Sequence, residues 1–186
     1  KFEVCAHKYA DISECDYGVS ILNDCKYGHD IHDGVIRLTL LKCATNPSPK
    51  ADKGHHEFTY SLRPHAGSFK QAGTIKLAYD LNNPMTAVKL GKQEGTLPES
   101  YSLVSVSDEN VVVDTVKKAE DSDSTIVRMY ESWNKRTNAL KLSFGFDVKS
   151  AVLCDLMENE IEKLEVTDNT VTLPVKPFEI VTIKLN

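Results

Sequence analysis

Phe178-Glu179-Ile180-Val181-Thr182-Ile183-Lys184-Leu185 carries apolar residues on both faces of an extended run. Successive side chains of a strand point to opposite sides of the sheet, so such a run predicts a strand buried between partners rather than left on an open edge. Six more short runs lie between this one and Pro84, at residues 103–106, 111–116, 125–130, 140–144, 152–157 and 170–173. Turn segments separate them, among them the acidic Glu120-Asp121-Ser122-Asp123-Ser124. Seven short strands with turns between them predict an immunoglobulin-like β-sandwich over residues 87–186.

Strand signals also dominate upstream. Tyr17-Gly18-Val19-Ser20-Ile21-Leu22-Asn23 alternates and stops at Asp24; residues 34–41 and 57–63 form two further runs, separated by a proline- and glycine-containing loop over 46–54. Phe69, Ala72, Ile75, Leu77, Ala78 and Leu81 recur mostly at three- and four-residue spacing, which predicts one short amphipathic helix over about 68–82. Asn82-Asn83-Pro84 ends it, because a proline disfavours a helical residue before it. Phe2, Val4 and Ala6 alternate from the outset, as if the chain begins inside a strand. The expectation is a mainly β chain whose residues 1–86 form the end of a larger sandwich.

Composition excludes several functions. The 186 residues are 41% hydrophobic and carry a net charge of −5, with no basic stripe for nucleic acid or an anionic membrane. No run of about 18 apolar residues could span a bilayer, and the N-terminus lacks the apolar stretch of a signal peptide. The five cysteines are odd in number, widely spaced and without a C-x-x-C, which points to reduced thiols and a cytoplasmic location.

Residue by residue, no active site is evident. His29-x-x-His32 has metal-ligand spacing, but in an extended segment the two side chains diverge. His55-His56 diverge likewise, and His65 after Pro64 suits a packing or backbone-bonding role. Cys5 and His7 lie two apart on one strand without a third group to orient them as nucleophile and base. No phosphate-binding loop occurs, and no carboxylate pair stands out as a glycosidase requires. Asp24 is the most suggestive carboxylate, since it ends an apolar strand and precedes Cys25, Lys26, Tyr27 and Gly28. By residue chemistry alone, a turn Asp accepting backbone N–H bonds is the favoured reading.

Phe2 to Asp11 followed by Tyr17 to Gly28 resembles the C-terminal region of glycoside hydrolase family 38 α-mannosidases of the cytosolic and bacterial type. His56-Glu57-Phe58-Thr59-Tyr60 with Pro64-His65, Leu81-Asn82-Asn83-Pro84, and Arg128-Met129-Tyr130-Glu131 are further matching blocks, in the family's order. The resemblance implies a retaining, zinc-dependent parent enzyme acting on mannose-containing glycans. Its catalytic carboxylates and zinc ligands belong to an N-terminal barrel whose motifs match nothing here, so this chain alone is expected to be inactive and to hold no metal. The resemblance also implies that 23–28 is a loop closing the mannose pocket, with Asp24 and Lys26 on sugar hydroxyls and Tyr27 against the ring. The alternative is a stand-alone carbohydrate-binding or protein-interaction module. A single tryptophan, Trp133, and 8% aromatic content argue against a row of stacking platforms.

Overall fold

A computed structural model describes residues 3–186, so Phe2 of the expected opening alternation lies outside the described residues. The chain divides into two compact units, residues 1–92 and 93–186. In the first, β1 (Val4–Cys5), β2 (Tyr9–Ser13), β3 (Tyr17–Asn23), β4 (Gly28–His32), β5 (Val35–Leu38) and β6 (Tyr60–Ala66) build two antiparallel three-stranded sheets, ordered β1-β4-β5 and β2-β3-β6.

One face of β2-β3-β6 is polar and covered by α1 (Thr74–Asn82), which buries Thr74, Ile75 and Ala78. There Asp11 Oδ2 takes His65 Nε2 at 2.7 Å and Ser20 Oγ at 2.6 Å, and Ser20 Oγ lies 2.9 Å from Thr74 Oγ1. Burial opposes the Asp11 charge, but hydrogen bonds from Ser13, Ser20 and His65 outweigh it and hold the carboxyl below its ordinary value. Gly18 pairs with His65 across β3 and β6. A Cβ there would sit 2.5 Å from His65 Cε1, so the close approach needs glycine. The opposite face is apolar: Ile12, Val19, Ile21 and Leu62, with Ile36 from β5, line an open hollow of about 350 Å³.

The helix is shorter than the spacing predicts. Residues 68–73 form turns, and Gly73 takes a left-handed conformation (φ 67°) at the point where the helix starts. Ile75 and Ala78 of the apolar stripe lie buried on the helix. Upstream of Gly73, Phe69 packs against Tyr9 from a turn, not from a helix.

The second unit contains β7 (Val104–Val106), β8 (Val111–Lys118), β9 (Thr125–Glu131), β10 (Thr137–Phe144), β11 (Ala151–Cys154), β12 (Glu160–Leu164), β13 (Val166–Thr167), β14 (Thr170–Val175) and β15 (Ile180–Leu185). They form antiparallel sheets β13-β14-β10-β7 and β12-β11-β15-β9-β8. The inward side chains of both sheets make one core, including Val127, Met129, Leu140, Leu142, Val171, Val175 and Ile183, each fully buried. Burying one such side chain contributes about 1.5–3 kcal/mol. The run read as flanked on both sides is β15, hydrogen-bonded to β11 and β9. The run expected over 152–157 stops at Cys154, because Asp155 Oδ1 accepts the N–H groups of Met157 and Asn159 and turns the chain. The sequence reading does not include strands β12 and β13; both are short edge strands, and β12 is charged.

Candidate functional site

Strand β3 alternates until Asn23, and the chain then crosses through Asp24, Cys25, Lys26 and Tyr27 into β4. Asn23 is the anchor of this crossing. Its side chain is fully buried, and its Oδ1 accepts the Lys26 N–H at 3.0 Å. Its backbone N–H donates to Lys8 O, and its carbonyl accepts Asn82 Nδ2 from the end of α1 at 3.0 Å.

Asp24 is held by an extension of the β3–β6 pairing. Its N–H donates to Thr59 O at 3.2 Å, and its Oδ2 accepts the Thr59 N–H at 2.9 Å. The Cys25 thiol and then the Thr59 N–H hold its carboxyl below the ordinary carboxylate value against the effect of burial. Asp24 in return pushes the exposed Cys25 thiol up. The turn reading thus describes Asp24 in part, since the bond it accepts comes from 35 residues away.

Lys26 lays its ammonium over the Phe58 ring, 4.8 Å from the centroid. Tyr27 stacks on His7, with centroids 4.3 Å apart and planes 12° apart. The Tyr27 carbonyl accepts the Ala6 N–H at 2.9 Å and faces His29 Nδ1 at 3.1 Å. Each of the three candidate residues is therefore fixed by a partner outside the loop. An anionic carboxylate, an ammonium and a phenol ring on one short connection suit hydroxyl recognition beside an apolar ring face.

The structure separates the other sequence candidates. His29 is buried while His32 is exposed against Asp33, so the pair diverges as strand geometry requires. His56 Nε2 meets Asp52 O at 2.8 Å, and His65 binds Asp11 and Gly67 O. His7 faces Tyr27, and Cys5 pairs through its backbone with Gly28. The Asp11–His65–Ser20 group is not a nucleophilic triad, because Ser20 bonds the carboxylate rather than the imidazole. All five cysteines are unpaired. Among the described residues no three His, Cys, Asp or Glu side chains gather in a way that could hold a metal ion. Also among the described residues, no helix is long and apolar enough to cross a membrane. Sequence reasoning passed over Asn23, His29, Phe58, Thr59 and Asn82 as loop supports. Phe58, Thr59 and Asn82 nevertheless lie in the matching family blocks.

Two family models match the chain. The glycosyl hydrolases family 38 C-terminal domain covers residues 1–50, and the glycosyl hydrolases family 38 C-terminal beta sandwich domain covers residues 110–183. Alpha-mannosidase 2C1 of Homo sapiens is 40% identical over 190 residues, covering 100% of this chain and 18% of that protein. Alpha-mannosidase G of Dictyostelium discoideum is 38% identical, covering 99% of this chain and 17% of that protein. The crystal structure of an alpha-mannosidase from Enterococcus faecalis V583 shares the fold with a TM-score of 0.78 at 22% identity, over 99% of this chain and 21% of that one. The chain spans about a fifth of the length of each of these relatives. With both units matched in the family's order, the chain belongs to glycoside hydrolase family 38, of which it carries the C-terminal domains.

Proposed function

We propose that this chain is the non-catalytic C-terminal β-sandwich part of an α-mannosidase, that it scaffolds the catalytic portion, and that Asp24, Lys26 and Tyr27 complete the mannose pocket. The whole protein would remove α-mannosyl units from glycans, with the reacting carboxylates and the zinc supplied by the portion outside this chain. The carrying observation is the loop itself: Asp24, Lys26 and Tyr27 stand on one four-residue crossing, each pinned from another segment by Thr59, Phe58 or His7. Binding groups on a loop braced by rigid strands are the usual way a fold presents a ligand contact.

The scaffold role is supported by the uncovered apolar face of β2-β3-β6, where Tyr17, Tyr60 and Leu62 are more than half exposed. Together with the hollow lined by Ile12, Val19 and Ile21, this is a surface that suits burial against more protein. A cytoplasmic location belongs to the same reading, and five unpaired cysteines agree with it.

The test is turnover of an aryl α-mannoside by the full-length enzyme carrying Asp24→Ala, Lys26→Ala or Tyr27→Ala, beside the 186-residue chain alone with added zinc. Each substitution is expected to raise KM about tenfold, the equivalent of one lost charged or stacking contact, and the chain alone to be silent. Unchanged KM in all three variants reduces the loop to scaffold. Turnover by the chain alone overturns the reading.

A further inference from the structure

We infer that His29 is a positioning residue for this loop, acting through the backbone of Tyr27; the inference rests on the pocket-completing role proposed above. His29 lies on β4 and is fully buried, so it cannot touch a sugar itself. Its Nδ1 lies 3.1 Å from the Tyr27 carbonyl. A carbonyl oxygen only accepts, so Nδ1 carries the hydrogen and donates it. The same oxygen accepts the Ala6 N–H at 2.9 Å, so both of its lone pairs are engaged.

The other ring nitrogen shows what the imidazole is for. Nε2 is buried and has no hydrogen-bond partner among the described residues. A buried polar atom without a partner costs stability, and an apolar side chain of similar size would avoid that cost. The contribution that only the histidine makes is therefore the Nδ1–H bond. That bond fixes the Tyr27 peptide, while His7 covers one face of the Tyr27 ring. Tyr27 is still 41% exposed, and the face away from His7 is the one left to meet a sugar ring.

The experiment uses the full-length enzyme and an aryl α-mannoside, with His29→Leu, His29→Asn and His29→Gln read as separate KM and kcat values and each variant's thermal midpoint measured. Asn carries an amide N–H close to the Nδ1 position, whereas the Gln amide reaches toward Nε2. His29→Leu and His29→Gln are expected to raise KM about tenfold with kcat within about twofold, because a contact shared by ground and transition states is lost. His29→Asn is expected to restore KM to near the parent value. A merely structural role would lower thermal midpoints and leave KM alone. If His29→Leu fails to fold, the Asn and Gln variants carry the test, and equal KM values for those two overturn the inference. If Tyr27→Ala raises KM and the His29 variants do not, the positioning role fails and the loop reading stands. If Tyr27→Ala, Asp24→Ala and Lys26→Ala also leave KM unchanged, the loop reading itself has failed.

Discussion

Replacing Glu131 with alanine should unfold the second unit far more easily than any surface change. Glu131 closes β9 with only 1% of its surface exposed. Its Oε1 accepts Asn110 Nδ2 at 2.9 Å and the Trp133 N–H at 2.8 Å, and its Oε2 accepts the Phe178 N–H at 2.9 Å. One carboxylate thus ties the turn before β8, the bend after β9 and the turn before β15. Hydrogen bonds to a charged group contribute about 1.5–3 kcal/mol each, and donors left buried and unpaired add to the loss. Relaxation and water entry reduce the sum, so about 3–5 kcal/mol is expected for Glu131→Ala. At about 1–1.5 kcal/mol per molar urea for a unit of this size, the midpoint should fall by about 2–5 M. Trp133, the only tryptophan in the chain, lies two residues away and reports this unit by its emission. Burial disfavours the Glu131 charge, but bonds from Phe178, Asn110, Trp133 and Lys135 outweigh it and leave the carboxyl below its ordinary value. A depressed folded-state value means this stabilisation is present above the unfolded glutamate value of about 4.3 and disappears as pH falls through the lower folded one. The gap between the parent chain and Glu131→Gln should therefore narrow in acid. A loss under about 1 kcal/mol for Glu131→Ala at neutral pH would refute the reasoning.

Two further predictions concern packing. Gly18→Ala should destabilise the first unit by about 1–3 kcal/mol, since its Cβ would stand 2.5 Å from His65 Cε1 and 2.7 Å from Ser13 Cβ; a thermal melt followed by far-UV circular dichroism checks it, and an unchanged midpoint would mean that His65 can leave Asp11 without cost. Ile183→Ala should cost about 2–5 kcal/mol by opening a cavity under the central strand, while Ile180→Ala, on the same strand but 56% exposed, should stay within about 0.5 kcal/mol; urea midpoints of the pair distinguish them.

The second unit was legible in the sequence where its strands are sandwiched. β15 announces itself because Val181, Ile183 and Leu185 give it a wholly apolar inward face and two sheet neighbours keep it off the edge. β12 does not, for the opposite reason. Glu160-Ile161-Glu162-Lys163-Leu164 needs only the backbone of β11, and as an edge strand it is free to carry charge, so its side chains hold no apolar alternation to read. The helix failed at its front end through one residue. Gly73 at φ 67° breaks the stripe that Phe69 and Ala72 continue in the sequence.

The loop shows where spacing stops being informative. The end of β3 at Asn23 fixes where Asp24 stands, and that much follows from alternation. What holds Asp24, Lys26 and Tyr27 does not, because their partners Thr59, Phe58 and His7 stand as far as 35 residues away. Periodicity describes how a segment meets its own sheet, and it contains no term for such a tie. The blocks around Phe58-Thr59 and Asn82, on which the sequence resemblance rests, both reach the loop once folded, one through Asp24 and Lys26 and the other through the Asn23 carbonyl. Asn82 spends one amide donor on the Asn23 carbonyl and another contact on Ala78 O, so the end of α1 and the base of the loop cannot move independently. Retaining such ties is what a preorganised contact requires, since a loop ordered before the ligand arrives does not lose that entropy on binding.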